Sequence, residues 1–86
     1  MPLRLRPDVR TTETDDGMVL LDERTGRYWQ LNGTGAYVLH GLLAGATPDA
    51  VADELAVRYH IGQRHARADV AAVAERLRTA HLVVEL

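Results

Sequence analysis

The sequence predicts an α+β domain of winged-helix-like form, with strands first and helices after. Three observations carry that prediction. Residues 9–32 hold strand formers punctuated by turn residues. After Asn32 the spacing of apolar residues changes from two to about 3.6. Three stretches with that second period then follow, bounded by helix start and stop signals.

Residues 3–14 read as an arm and an edge strand: Pro7 breaks the pattern, and Val9 to Thr14 is rich in β-formers. Asp15-Asp16-Gly17 is a turn. Met18 to Leu21 has no polar position, so both its faces are expected to be covered, as in an interior strand. Asp22 to Gly26 supplies turn chemistry, with Gly26 free to take the positive φ that closes a bulged hairpin loop. The next run puts Trp29 and Leu31 on one face and Tyr28 and Gln30 on the other. It leaves Asn32 to cap the helix that follows.

Ala36, Tyr37, Leu39, Leu42 and Leu43 form the stripe of a first helix closed by Gly45, and Gly41 weakens its interior by about 1 kcal/mol relative to Ala. Thr47-Pro48 starts a second helix, the hydroxyl capping and the proline at the first helical position. Val51, Ala52, Leu55, Ala56 and Tyr59 make its stripe, and it ends near Gly62. A third helix is expected to begin between Arg64 and Ala68 and to run to Ala80, with Ala66, Val70, Val73, Ala74, Leu77 and Ala80 at three- and four-residue steps. Leu82 to Leu86 finishes as a short strand or an extended tail.

The apolar second hairpin strand is the most informative element. A sheet edge is ordinarily protected by Lys, Pro or an inward charge, and this one shows only Arg27 at its start. Two readings are open. The N-terminal arm or Leu82-Val83-Val84-Glu85-Leu86 pairs with the strand inside the monomer, or the edge is reserved for an extended peptide, the strand-addition mode of recognition.

With 86 residues the chain makes one domain, and a chain this short buries roughly 60–65% of its unfolded surface, so its core serves stability rather than an elaborate internal active site. With 47% hydrophobic and 26% charged residues it falls in the ordinary globular class, neither disordered nor membrane-spanning. The basic Met1-Pro2-Leu3-Arg4-Leu5-Arg6-Pro7 has no apolar run behind it, which argues against a secretory signal and for the cytoplasm. Cysteine is absent, so disulfides, thiolate metal sites and Cys nucleophiles are excluded. All ten basic residues are Arg. A net charge of −2 argues against general nucleic-acid binding.

No catalytic or metal constellation emerges. His40, His60, His65 and His81 lack the i,i+3 or i,i+4 spacing that puts two ligands on one helical face, and read as structural or surface residues. There is no Ser, and Thr and Asp form no nucleophile–base–orienter pattern. The carboxylate pairs Asp15-Asp16, Asp22-Glu23 and Asp53-Glu54 read as exposed turn or helix-face chemistry. Gly33-Thr34-Gly35 lacks the Lys-Ser/Thr ending of a phosphate loop and suits a sharp strand-to-helix junction. A helix-turn-helix reading of the last two helices meets a mixed face, Arg64, Arg67, Arg76 and Arg78 against Asp69 and Glu75, weaker than a DNA-reading helix presents.

Asp16-Gly17 with Val19-Leu20-Leu21-Asp22, then Gly26-x-Tyr28-Trp29-x-Leu31-Asn32, Gly35, Gly45-x-Thr47-Pro48, Tyr59, Ala66-Arg67-Ala68-Asp69-Val70, Leu77 and Leu82-Val83 together resemble the PqqD-like family. More narrowly, they are similar to the stand-alone leader-peptide-recognition proteins of lasso-peptide biosynthesis. The resemblance implies a three-stranded antiparallel sheet joined to a three-helix bundle, without catalysis or cofactor of its own. It implies that the leader segment of a ribosomal precursor peptide adds as a strand to the outer hairpin strand, in a groove walled by the third helix. The walls carried onto this chain are Arg27, Tyr28, Trp29, Gln30 and Leu31, and Asp69, Val70, Val73, Ala74 and Leu77. Which of Tyr28 and Trp29 faces the groove stays open at this point. Implied partners are a leader peptidase of the transglutaminase-like cysteine protease type and an asparagine-synthetase-like lasso cyclase, with neither nucleic acid nor membrane. The alternatives are a pyrroloquinoline-quinone peptide chaperone serving a radical-SAM enzyme and, from another class, a small winged-helix DNA-binding regulator.

Overall fold

The computed structural model describes residues 3–85. Met1, Pro2 and Leu86, which the sequence reading places in the arm and the tail, lie outside them. In chain order the elements are β1 (Leu3–Leu5), β2 (Val9–Thr14), β3 (Gly17–Asp22), β4 (Arg27–Asn32), α1 (Gly33–Leu43), α2 (Pro48–Tyr59), α3 (Gln63–Thr79) and β5 (Val83–Glu85). β2, β3 and β4 form an antiparallel meander in that order, and β1 pairs with β5 in a separate two-stranded sheet.

The meander is set by its two turns. At Gly17 a Cβ would lie 2.0 Å from the Leu31 carbonyl oxygen, so any side chain there would collide with the neighbouring strand. Between β3 and β4 the Asp22 carbonyl accepts from the backbone N–H groups of Thr25 (3.3 Å) and Gly26 (2.9 Å), and Gly26 takes φ +75°. The pairing then runs unbroken from Asp22↔Arg27 to Gly17↔Asn32. The expected bulge is absent because the four-residue loop itself absorbs the left-handed residue.

Side-chain alternation divides the sheet. Met18, Leu20 and Leu31 point inward and are buried, with Trp29 half-buried beside them. Leu21, 37% exposed, and Tyr28, 71% exposed, lie on the other face with the half-buried Val19. The expectation that both faces of Met18 to Leu21 are covered therefore fails: the helices pack on one side only, and Val19 and Leu21 face outward despite being apolar.

The carboxylate pair Asp22-Glu23 also needs correction. Asp22 is only 2% exposed. Arg24 binds its carboxylate through Nε (3.3 Å), Nη2 (3.1 Å) and the backbone N–H (3.0 Å). That hydrogen bonding outweighs desolvation and holds the carboxyl below its ordinary 3.8.

The helices follow their signals. Asn32 Oδ1 accepts from the Gly35 N–H at 2.8 Å and Thr47 Oγ1 from the Ala50 N–H at 3.1 Å. Val38 joins Ala36, Leu39 and Leu42 in the core, while Tyr37 and Leu43 are half-buried at its margin. Gly41 earns its place by packing: a Cβ there would meet Val51 Cγ2 at 2.9 Å, so α1 and α2 cross closely. α2 stops at Tyr59 because His60 turns left-handed, φ 54°, and Gly62 instead caps the start of α3 one residue before the expected range. Leu55, Val70, Leu77 and Leu82 complete a core shared by all three helices and the inner sheet face.

Leu3↔Glu85, Arg4↔Val84 and Leu5↔Val83 are paired. The terminal strands thus satisfy each other, and neither covers the outer hairpin strand. The reading in which one of them pairs with β4 is set aside.

Candidate functional site

Among the described residues β4 pairs with β3 on one side only, so its other edge presents unpaired backbone groups between Tyr28 and Leu31, while the Arg27 N–H donates to Thr25 Oγ1 at 3.2 Å and Asn32 caps α1. α3 packs on α1, α2 and β5, and β4 on β3 and α1. A groove is left between β4 and α3. Its central part, about 490 Å³, is lined by Asp16, Gln30, Leu31, Asn32 and Gly35 on one wall and Ala72, Val73 and Arg76 on the other. Toward the β3–β4 loop it continues past Arg27 and Trp29, facing Glu75, Arg76, Thr79 and Ala80. Toward the start of α1 it continues past Asn32 and Thr34, facing Asp69 and Val73.

Alternation settles the aromatic pair geometrically. Arg27, Trp29 and Leu31 share the inner face with the groove, whereas Tyr28 projects from the outer face. Gln30 touches the rim of the central part. On α3, Asp69 and Val73 border the groove, and Asp69 is held by His65 at 3.4 Å. Val70, Ala74 and Leu77 are buried in the core, and Val70 and Ala74 turn toward Pro48 and Asp49 at the start of α2 rather than into this groove. Ala72 and Arg76 were not singled out for the wall by sequence, yet they line its length. Asp69, Ala72, Val73 and Arg76 recur at three- and four-residue steps just as the core stripe does, but apart from Val73 they are charged or alanine, so an apolar-periodicity test does not pick out this face.

The remaining polar features belong to the scaffold. His40 Nε2 lies 2.7 Å from Glu13. Tyr37, under the Arg58 guanidinium and edge-on to Tyr59, donates to Glu54 at 3.0 Å, and burial with that hydrogen bond pushes its phenol up. Arg67 lies 4.0 Å from Asp49, and Arg78 is bound to Glu75 and Glu85, so two of the four arginines weighed for DNA contact are engaged within the chain. Among the described residues no group of three His, Cys, Asp or Glu side chains could hold a metal ion, and no helix is long and apolar enough to cross a membrane.

The same frame occurs in solved structures. One described as "Lasso peptide synthetase B1 complexed with the leader peptide" is 40% identical, with a TM-score of 0.91 over 99% of this chain and all of the other. A second, "TbiB1 in Complex with the TbiA(beta) Leader Peptide", shares the fold at 23% identity, with a TM-score of 0.84 over 96% of each chain. No curated protein matches significantly. The sequence model for coenzyme PQQ synthesis protein D matches residues 17–83, from the start of β3 into β5. That span takes in β4, all three helices and, Asp16 apart, both walls of the groove, and by it the chain belongs to the PqqD family.

Proposed function

We propose that this protein is a non-catalytic adaptor of lasso-peptide biosynthesis. It binds the unmodified leader segment of a ribosomal precursor in the cytoplasm and presents it to a leader peptidase and a lasso cyclase. The observation that carries the reading is the unpaired β4 edge beside a groove walled by Trp29, Leu31 and Val73. An extended peptide adding to β4 gains main-chain hydrogen bonds along the strand, while alternate side chains reach the apolar wall and are selected there. Likeness across nearly the whole chain to a lasso peptide synthetase B1 described in complex with the leader peptide supports the same assignment. With the groove occupied, Leu21 and Tyr28 on the outer face remain exposed for a processing enzyme.

The test is a titration of a lasso-precursor leader peptide followed by Trp29 fluorescence, with duplex DNA as the competing ligand. The adaptor reading expects a dissociation constant of about micromolar or tighter, modest salt dependence and an intact peptide by mass spectrometry. Cleavage or modification by the purified protein alone contradicts it. So does duplex DNA binding that exceeds leader binding and weakens steeply with salt.

A further inference from the structure

We infer that Arg27 and Arg76 form an anion-recognising subsite in the groove, which takes an Asp or Glu side chain of the bound peptide. The inference rests on the peptide-binding reading above and names a chemical requirement on the ligand. The two residues come from opposite walls, β4 and α3, and line the same stretch of groove as Trp29 and Glu75. Both residues are exposed, and neither makes an ion pair among the described residues.

Their lack of partners follows from how the neighbouring carboxylates are used. Asp22 stands opposite Arg27 in the β3–β4 register, but its carboxylate is buried and taken by Arg24 at 3.1 Å. Glu75 precedes Arg76 on α3, but it lies 3.7 Å from Arg78 and accepts from the Thr79 hydroxyl at 3.4 Å. The charge of the groove also changes along its length, since Arg76 meets Asp16 in the central part and Asp69 is the charged residue lining the part toward α1. A carboxylate is therefore favoured at the end near the β3–β4 loop and disfavoured at the other, which fixes the register of a peptide whose main-chain bonds alone would tolerate sliding. Two forked donors on facing walls of one stretch of groove suit a carboxylate, which accepts on both oxygens.

The test is selection from a phage-displayed library of random linear peptides, followed by titration of a synthetic winner. Enriched peptides should carry Asp or Glu at one fixed spacing from their apolar positions. Replacing that acid by its amide should weaken binding about five- to tenfold, the scale of a partly desolvated charge-assisted pair. The double variant Arg27→Gln, Arg76→Gln should bind the acid and amide peptides equally, and Arg27→Glu, Arg76→Glu should enrich Lys or Arg at the same spacing. Melting temperatures near the parent's should accompany both, since the side chains are exposed. Enriched peptides with apolar anchors but no acidic position, or a Gln variant that still discriminates, overturn the subsite and leave the adaptor reading standing. No enrichment, or enrichment indifferent to Val73→Glu, overturns the adaptor reading and the subsite together.

Discussion

Val73 and Leu77 lie one helical turn apart on α3 but face different surroundings. Leu77 is 1% exposed in the core, whereas Val73 is half-buried at the groove. Leu77→Ala is expected to cost roughly 2–5 kcal/mol of stability by emptying a buried leucine site. Val73→Glu should melt much closer to the parent, because the open groove hydrates the carboxylate, yet lose about 2 kcal/mol of peptide binding. Paired melting and titration separate the two effects. A Val73→Glu protein that binds a leader as tightly as the parent would remove α3 from the site. Asp22 provides a test by pH. Its folded pKa is depressed by Arg24, so its stabilising contribution is fully present above the ordinary carboxylate value of 3.8 and is lost as pH falls through the lower folded value. Asp22→Asn should therefore melt below the parent at neutral pH, and the gap should close at the acid end. A gap of constant size from pH 7 to pH 2 would show that the charge on Asp22 is not what Arg24 stabilises.

At the scale of elements, the crossing of α1 and α2 decides between two opposed effects at Gly41. Helix propensity favours Gly41→Ala by about 1 kcal/mol. The added Cβ would sit 2.9 Å from Val51 Cγ2, a methyl of a buried β-branched side chain with little room to move, and overpacking of this kind costs about 1–3 kcal/mol. The net expectation is a protein no more stable than the parent, with Val51→Ala recovering part of the loss in the double variant. A clear gain in melting temperature from Gly41→Ala alone would show that the helices separate at little cost. Such close approaches are what the sequence does not display: Gly41 reads as a helix defect until Val51 is placed against it. The meander, the caps Asn32 and Thr47 and the sharing of one strand face by Trp29 and Leu31 were legible, because alternation and capping chemistry act over a few residues, whereas which of Tyr28 and Trp29 faces the groove was not. Two further features were not. Met18 to Leu21 is apolar at every position, so periodicity could not reveal that Val19 and Leu21 face out. The pairing of Leu3–Leu5 with Val83–Glu85 joins opposite ends of the chain, and no local signal distinguishes it from pairing with β4. The α3 side of the groove was half legible, since Asp69 and Val73 border it while Val70, Ala74 and Leu77 are buried in the core.

In the molecule as a whole, the two sheets divide the labour of the strand edges. β1 and β5 close on each other at the chain ends, and α3 is held away from β4 by its packing on α1, α2 and β5. Of the two outer edges of the meander, that of β4 is the one beside the groove, on a face distinct from the exposed Leu21 and Tyr28. A molecule built this way can hold a peptide and still offer a surface to an enzyme. The most direct measurement is amide hydrogen exchange of the full chain, free and saturated with a lasso-precursor leader peptide. Strand addition predicts that alternate amides of Arg27–Asn32, those on the edge away from β3, become strongly protected, while the β2 edge is unchanged. Saturable leader binding with no added protection anywhere in β4 would contradict the account.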